Sequence, residues 1–96
     1  MKSTEIELHL QFCMAIPKSW SKLRKEQTLS SRYAFGGPPH TSRPDIDNLI
    51  KFVMDAGNGL LWSDDSIVSL MIASKFYSDE PRTVIDIFRR NFKERI

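Results

Sequence analysis

From Thr4 to Cys13 apolar and polar positions alternate, with Ile6, Leu8, Leu10 and Phe12 on one side and Glu5, Glu7, His9 and Gln11 on the other. A period of two is the pattern of a half-buried strand. Pro17 ends the extended run, and Ser19 is placed to cap a basic helix from about Trp20 to Leu29, in which Trp20, Leu23 and Gln27 share a face. Ser30 to Pro44, with Gly36-Gly37-Pro38-Pro39 and several Ser and Thr, predicts a mobile loop. The spacing of Leu49, Ile50, Phe52, Val53 and Ala56 predicts a two-sided apolar helix over about Asp47 to Ala56, stopped by Gly57-Asn58-Gly59. Ser63-Asp64-Asp65 reads as a turn and Ser66 to Tyr77 as a long strand. Ser78-Asp79-Glu80-Pro81 then reverses the chain into Thr83 to Arg89, predicted to complete a hairpin. The order of elements predicts an α/β (α+β) domain, a small mixed or antiparallel sheet with helices packed on one face.

A chain of 96 residues is one small domain, short enough that a second copy would help it bury apolar surface. With 41% apolar and 27% charged residues it falls among globular proteins. It has no apolar run long enough to cross a bilayer and no signal-peptide pattern, so a soluble, cytoplasmic protein is expected. The single Cys13 excludes an internal disulfide, and neither His9 nor His40 has a second ligand at zinc spacing. Residues 1 to 44 carry seven Lys or Arg against three acids, whereas residues 45 to 96 carry seven against nine. That split suits a basic phosphate-binding flank beside an acidic metal pocket, and equally ordinary solvated charge on a small domain.

The chemistry gathers in Arg43-Pro44-Asp45-Ile46-Asp47-Asn48-Leu49-Ile50-Lys51 and, thirteen residues after Lys51, the pair Asp64-Asp65. Asp45 and Asp47 stand where an extended segment enters a helix, so both carboxylates can face one ion. Acids at a helix start also serve simply as caps for free amides. Lys51 and Asp55 continue the same helix face, either as a solvent-exposed ion-pair ladder or with Lys51 facing a phosphate or an attacking water. Asp64-Asp65 alone is a turn signature, and Trp62 is more simply a core aromatic than a base-stacking platform. Folding back through Gly57 to Trp62 would bring Asp65 beside Asp45 and Asp47. Three such carboxylates suit Mg²⁺, a hard cation that keeps several waters and takes few protein ligands. Lys18, Lys22, Arg24, Lys25, Arg32, Arg43 and Lys75 are available for a nucleic-acid backbone.

These two segments, Pro-Asp-Ile-Asp-Asn-Leu-Ile-Lys at 44 to 51 and Trp-Ser-Asp-Asp-Ser-Ile-Val at 62 to 68, resemble the signature of the RusA-type Holliday-junction resolvases. The similarity extends to Ile16-Pro17-Lys18-Ser19-Trp20-Ser21 and to Lys75 to Arg82, as in phage and prophage members, and covers about residues 4 to 89. The resemblance implies a RusA-like fold and a homodimeric, Mg²⁺-dependent endodeoxyribonuclease, with Mn²⁺ as the alternative ion and no organic cofactor. Such an enzyme recognises four-way junction DNA and nicks two strands symmetrically. By motif position Asp45, Asp47 and Asp65 are the metal ligands and catalytic acids and Lys51 the catalytic lysine. Of the basic groups available for the backbone, Lys18, Lys22, Arg43 and Lys75 are the expected DNA contacts, and the role of Asp64 is left open.

Two departures from the family pattern carry expectations. Members usually have a further strand, basic loop and helix ahead of the strand matched by Thr4 to Cys13, so residues 1 to 96 are expected to form a RusA-like domain lacking that segment, with its edge strand, DNA contacts and part of the dimer interface. Gly57 stands where members tend to carry an apolar residue, and is expected to weaken the last helical turn by ~1 kcal/mol relative to Ala. Beside the resolvase stand two other readings. One is a shortened, catalytically impaired junction-binding remnant of a prophage resolvase, and the other an interaction module whose acids only cap helices.

Overall fold

The computed structural model describes residues 4–30 and 36–91. Its elements run β1 (Thr4–Ala15), α1 (Lys22–Ser30), α2 (Ile46–Gly57), a 3₁₀ turn (Asp65–Ile67), β2 (Val68–Ser78) and β3 (Arg82–Asn91). Part of the mobile loop expected between Ser30 and Pro44, residues 31–35, lies outside the described residues.

Three strands form one mixed sheet in the order β2-β1-β3. β1 runs parallel to β2, with Leu8 opposite Met71 and Phe12 opposite Lys75, and antiparallel to β3, with Leu8 opposite Ile87 and Phe12 opposite Thr83. The sheet is therefore the mixed alternative, and the expected hairpin is corrected. β2 and β3 turn back on one another but do not pair, because β1 lies between them. The Asp79–Pro81 link steps over the end of β1, where Ala15 pairs with Ser78. Two strand spacings are ~9.6 Å, and four residue steps from Ser78 to Arg82 reach up to ~13 Å. Ser78 Oγ accepts from the Glu80 amide (3.1 Å) and Arg82 donates to the Glu80 carbonyl (2.8 Å), which holds the crossing in shape.

The alternation in β1 is realised as burial. Ile6, Leu8, Leu10 and Phe12 are each 2% exposed or less and form the core with Val53 of α2 and Trp62. A strand flanked on both sides and covered by a helix leaves its apolar face no route to solvent, and each such side chain contributes ~1.5–3 kcal/mol of burial. Met71, Ala73, Ile85 and Ile87 extend this layer along the flanking strands.

The helices begin and end for local reasons. Ser21, rather than the expected Ser19, caps α1, its Oγ accepting from the Arg24 amide at 3.1 Å. α2 ends at Asn58, whose amide still donates to the Met54 carbonyl, and Gly59 then takes φ +80°, open to glycine without cost. Gly57 belongs to the helix and is buried. A Cβ there would run into the six-membered ring of Trp62, so the residue that looks like a weak helical turn is the space the indole occupies.

A strip from Pro38 to His40 lies along the outer edge of β2. The Tyr77 amide donates to the Pro38 carbonyl (2.9 Å) and the His40 amide to the Lys75 carbonyl (3.1 Å). Gly36 and Gly37 press on the face of Phe76, where a side chain would collide with its ring. This covers part of an edge strand that would otherwise present unpaired backbone groups. No described helix is long and apolar enough to cross a membrane.

Candidate nuclease site at the two ends of the second helix

Asp45 is the residue before α2, in extended conformation (φ −68°, ψ 147°), and its carboxylate makes no capping hydrogen bond. Capping was the ordinary explanation for an acid here, and the carboxylate is not spent on it. Asp47 lies in the first turn and Lys51 one turn later, both exposed. Among the described residues Asp47, Lys51 and Asp55 form no ion pair, so the salt-bridged ladder that their spacing allows is not made. Asp45 and Asp47 thus stand at the N-terminal end of α2 and Lys51 near its middle, all with their charged groups uncommitted, and the helix dipole favours the two acids where they are.

The segment before Asp45 is tied to β2 by a side chain. Lys75 Nζ donates to the Ser42 carbonyl (2.6 Å) and to the Pro44 carbonyl (2.7 Å), across the cis Arg43–Pro44 bond. Lys75, read from sequence as a DNA contact, directs two of its three donors to the protein's own backbone. Beside it, His40 packs on Tyr77 (ring centroids 4.8 Å), Trp20 packs on Tyr77 (4.9 Å), and the Arg24 guanidinium lies 3.7 Å from the Trp20 ring centroid. This chain of rings carries the basic stretch of Lys18, Lys22 and Arg24 to the same end of the sheet as Asp45. Burial, and then the neighbouring Lys75 charge, lower the His40 pKa, and its buried Nδ1 has no hydrogen-bond partner among the described residues. Arg43 is exposed.

Asp65 sits elsewhere. Trp62 is 3% exposed against Gly57, and its Nε1 donates to Asp65 Oδ1 at 2.7 Å. This fixes Asp65 at the C-terminal end of α2. Asp64 caps the 3₁₀ turn, accepting from the Ser66 amide (3.2 Å) and the Ser66 hydroxyl, and these bonds lower its pKa. The acidic pair is therefore divided: Asp64 serves the turn, while Asp65 keeps Oδ2 free.

A twelve-residue helix is ~18 Å long, and α2 lies between Asp45 and Trp62. Within one chain the return through Gly57 does not bring Asp65 beside Asp45 and Asp47, and no three metal-ligating side chains converge among the described residues. The expected fold-back fails for a mechanical reason. The indole packs at the helix C-terminus and holds Asp65 with it. Sequence reasoning missed Trp62 as the holder of Asp65 and Lys75 as the tether of Asp45. A Trp three residues before an Asp was the available signal for the first, and nothing in the sequence signalled the second.

The donor set suits a hard divalent cation: carboxylate oxygens without a neighbouring thiol, and with room for water. Within one chain Asp45 and Asp47 at one helix end are the pair that could face such an ion, while the free oxygen of Asp65 stands at the other end.

The chain is 37% identical over 82 residues to the uncharacterized protein YqaN of Bacillus subtilis (strain 168), a match covering 85% of this chain and 56% of that protein, so the chain spans little more than half of its relative's length. No solved structure gives a significant match. The profile of the family described as Endodeoxyribonuclease RusA matches residues 1–88, which takes in β1, α2, Asp65 and β2 as one unit, and the chain belongs to that family.

Proposed function

We propose that this chain acts as a Mg²⁺-dependent, structure-specific endodeoxyribonuclease that resolves four-way DNA junctions as a homodimer, with paired symmetric nicks. The observation that carries this reading is the uncommitted state of Asp45 and Asp47 at the start of α2 and of Lys51 one turn beyond Asp47. When bound, Mg²⁺ would polarise phosphoryl oxygens and acidify a coordinated water. Asp45, Asp47 and Asp65 supply the oxygens that grip the ion, and Trp62 Nε1 orients Asp65. Lys51 meets the negative charge of the phosphate undergoing cleavage. Lys18, Lys22 and Arg43 neutralise flanking phosphates, so binding weakens as salt rises.

A homodimer would reconcile the length of α2 with a single ion site. A two-fold axis perpendicular to this helix lays the N-terminal end of one copy beside the C-terminal end of the other. Asp45 and Asp47 of one protomer then meet Asp65 of its partner, and each dimer holds two equivalent sites for two symmetric cuts. Support comes from the exposed apolar side chains along that helix and just after it, Phe52 (73% exposed), Leu60 (85%) and Leu61 (44%), which border a groove with Leu49, Ala56 and Ile85. Such a patch marks an association surface.

The test is incubation with a synthetic four-way junction and with linear duplex, with and without Mg²⁺, beside Asp45→Asn. Paired nicks in the junction that need the ion and vanish in the variant are expected. Binding without nicks at any Mg²⁺ concentration would overturn the enzyme and favour the junction-binding remnant.

A further inference from the structure

Between His40 and α2 the chain makes no backbone–backbone hydrogen bond among the described residues. Up to His40 the strip is laced to the edge of β2, and from Asp45 onward the helix ladder begins, with the Leu49 amide donating to the Asp45 carbonyl (3.2 Å). The four residues from Thr41 to Pro44 would otherwise be a free joint directly before the first candidate ligand. Lys75 closes it. Its ammonium bonds the carbonyls on both sides of Arg43, and the second of these, Pro44, belongs to the peptide unit that leads into Asp45.

We propose that Lys75 is a positioning residue that sets where Asp45 and Asp47 stand, rather than a contact to DNA phosphate; this rests on the nuclease reading above. Three features favour the assignment. The lysine stands on β2 opposite the buried Phe12 of the central strand, and its carbonyl accepts from the His40 amide on the other side, so its backbone is held from both edges. It is partly buried, while Lys18, Lys22 and Arg43 are exposed. Carbonyls two residues apart give a compact ammonium two acceptors at once, a task in which a point donor with three hydrogens excels. Reacting groups displaced by ~1 Å can lose ~100-fold in rate, so the clamp acts on turnover.

The experiment compares the parent chain, Lys75→Met, and Lys75→Cys before and after alkylation with 2-bromoethylamine, which rebuilds an ammonium at nearly the same reach. The parent, whose one thiol Cys13 is buried, is alkylated in parallel as control. Lys75→Met is expected to bind the junction within about two-fold of the parent with an unchanged salt slope, to nick it ~100-fold more slowly, and to exchange the amides of residues 45 to 48 faster. Alkylation is expected to restore both rate and protection in Lys75→Cys. Weaker binding with a salt slope reduced by ~1, the sign of a lost phosphate contact, and unchanged exchange would overturn the proposal. Failure of the parent itself to nick any junction would sink the nuclease reading instead. The exchange measurement then judges the clamp alone, with lost protection supporting it and unchanged protection overturning it.

Discussion

Replacing Gly57 by Ala tests whether the end of α2 is built around Trp62. Helix propensity alone predicts a gain of ~0.5–1 kcal/mol from the substitution. The structure predicts the reverse. The new Cβ would lie against three carbons of the Trp62 six-membered ring, inside the ~3.5 Å at which carbon atoms rest. The ring has little freedom to retreat, because it is 3% exposed and packed in the core with Leu8, Leu10 and Val53. Overpacking of this kind costs ~1–3 kcal/mol. A ring that moves also stretches the bond from Nε1 to Asp65, and a hydrogen bond to a charged group is worth ~1.5–3 kcal/mol. Setting the propensity gain against these terms leaves a net loss of about 1.5–5.5 kcal/mol. Urea unfolding followed by tryptophan fluorescence reads it: at a slope of ~1–2 kcal/mol per M, the midpoint falls by about 1 M or more. In a Trp62→Leu background the space reopens, and Gly57→Ala becomes neutral or stabilising, a coupling that a double-mutant cycle isolates. A Gly57→Ala chain as stable as the parent would refute the packing argument, and with it the reason Asp65 is fixed where it is.

Two further outcomes follow from the same geometry. Trp62→Phe keeps most of the buried ring but removes the donor to Asp65, so a loss of ~1.5–3 kcal/mol in unfolding free energy is expected, together with reduced Mg²⁺-dependent nicking; unchanged nicking would detach Asp65 from the site. His40 has a pKa below its ordinary 6.5 in the folded chain, so the unfolded chain binds more protons through that region. The stability this group contributes is present above pH 6.5 and is lost as pH falls below it towards the folded pKa. His40→Phe, which keeps a ring on Tyr77, is expected to flatten the stability profile on the acid side of pH 6.5, and a profile of unchanged slope would remove His40 as its cause.

Much of the fold was legible because its determinants are local. The period of two in β1 describes a face that is buried as written, whereas of the two-sided apolar pattern of α2 Val53 is buried, Leu49 and Ile50 are half-buried, and Phe52 and Ala56 stay exposed. Pairing is a different kind of information. Ser78 to Pro81 specifies that the chain reverses but not which strand the returning segment will meet, and β1, far earlier in the chain, lies between β2 and β3 and pairs with both. Gly57 misled because propensity treats a helical position in isolation, whereas the decisive neighbour is an indole five residues on. The candidate acids were readable as a set from their spacing with Lys51 and Trp62. Their placement was not, since the hold of Trp62 on Asp65 and of Lys75 on Ser42 and Pro44 are tertiary contacts that no periodicity encodes.

The most direct test of a site assembled from both ends of α2 is subunit complementation. Asp45→Asn and Asp65→Asn chains, each expected to be inactive alone, are mixed, exchanged and assayed for Mg²⁺-dependent nicking of a four-way junction. If the acids meet across a two-fold, each mixed dimer carries one intact site and one doubly damaged site, and random mixing restores roughly a quarter of parental nicking, as single cuts. If each site is made by one chain, every site in the mixture carries a lesion; a mixture shown to exchange subunits that stays as inactive as its parts would contradict the account.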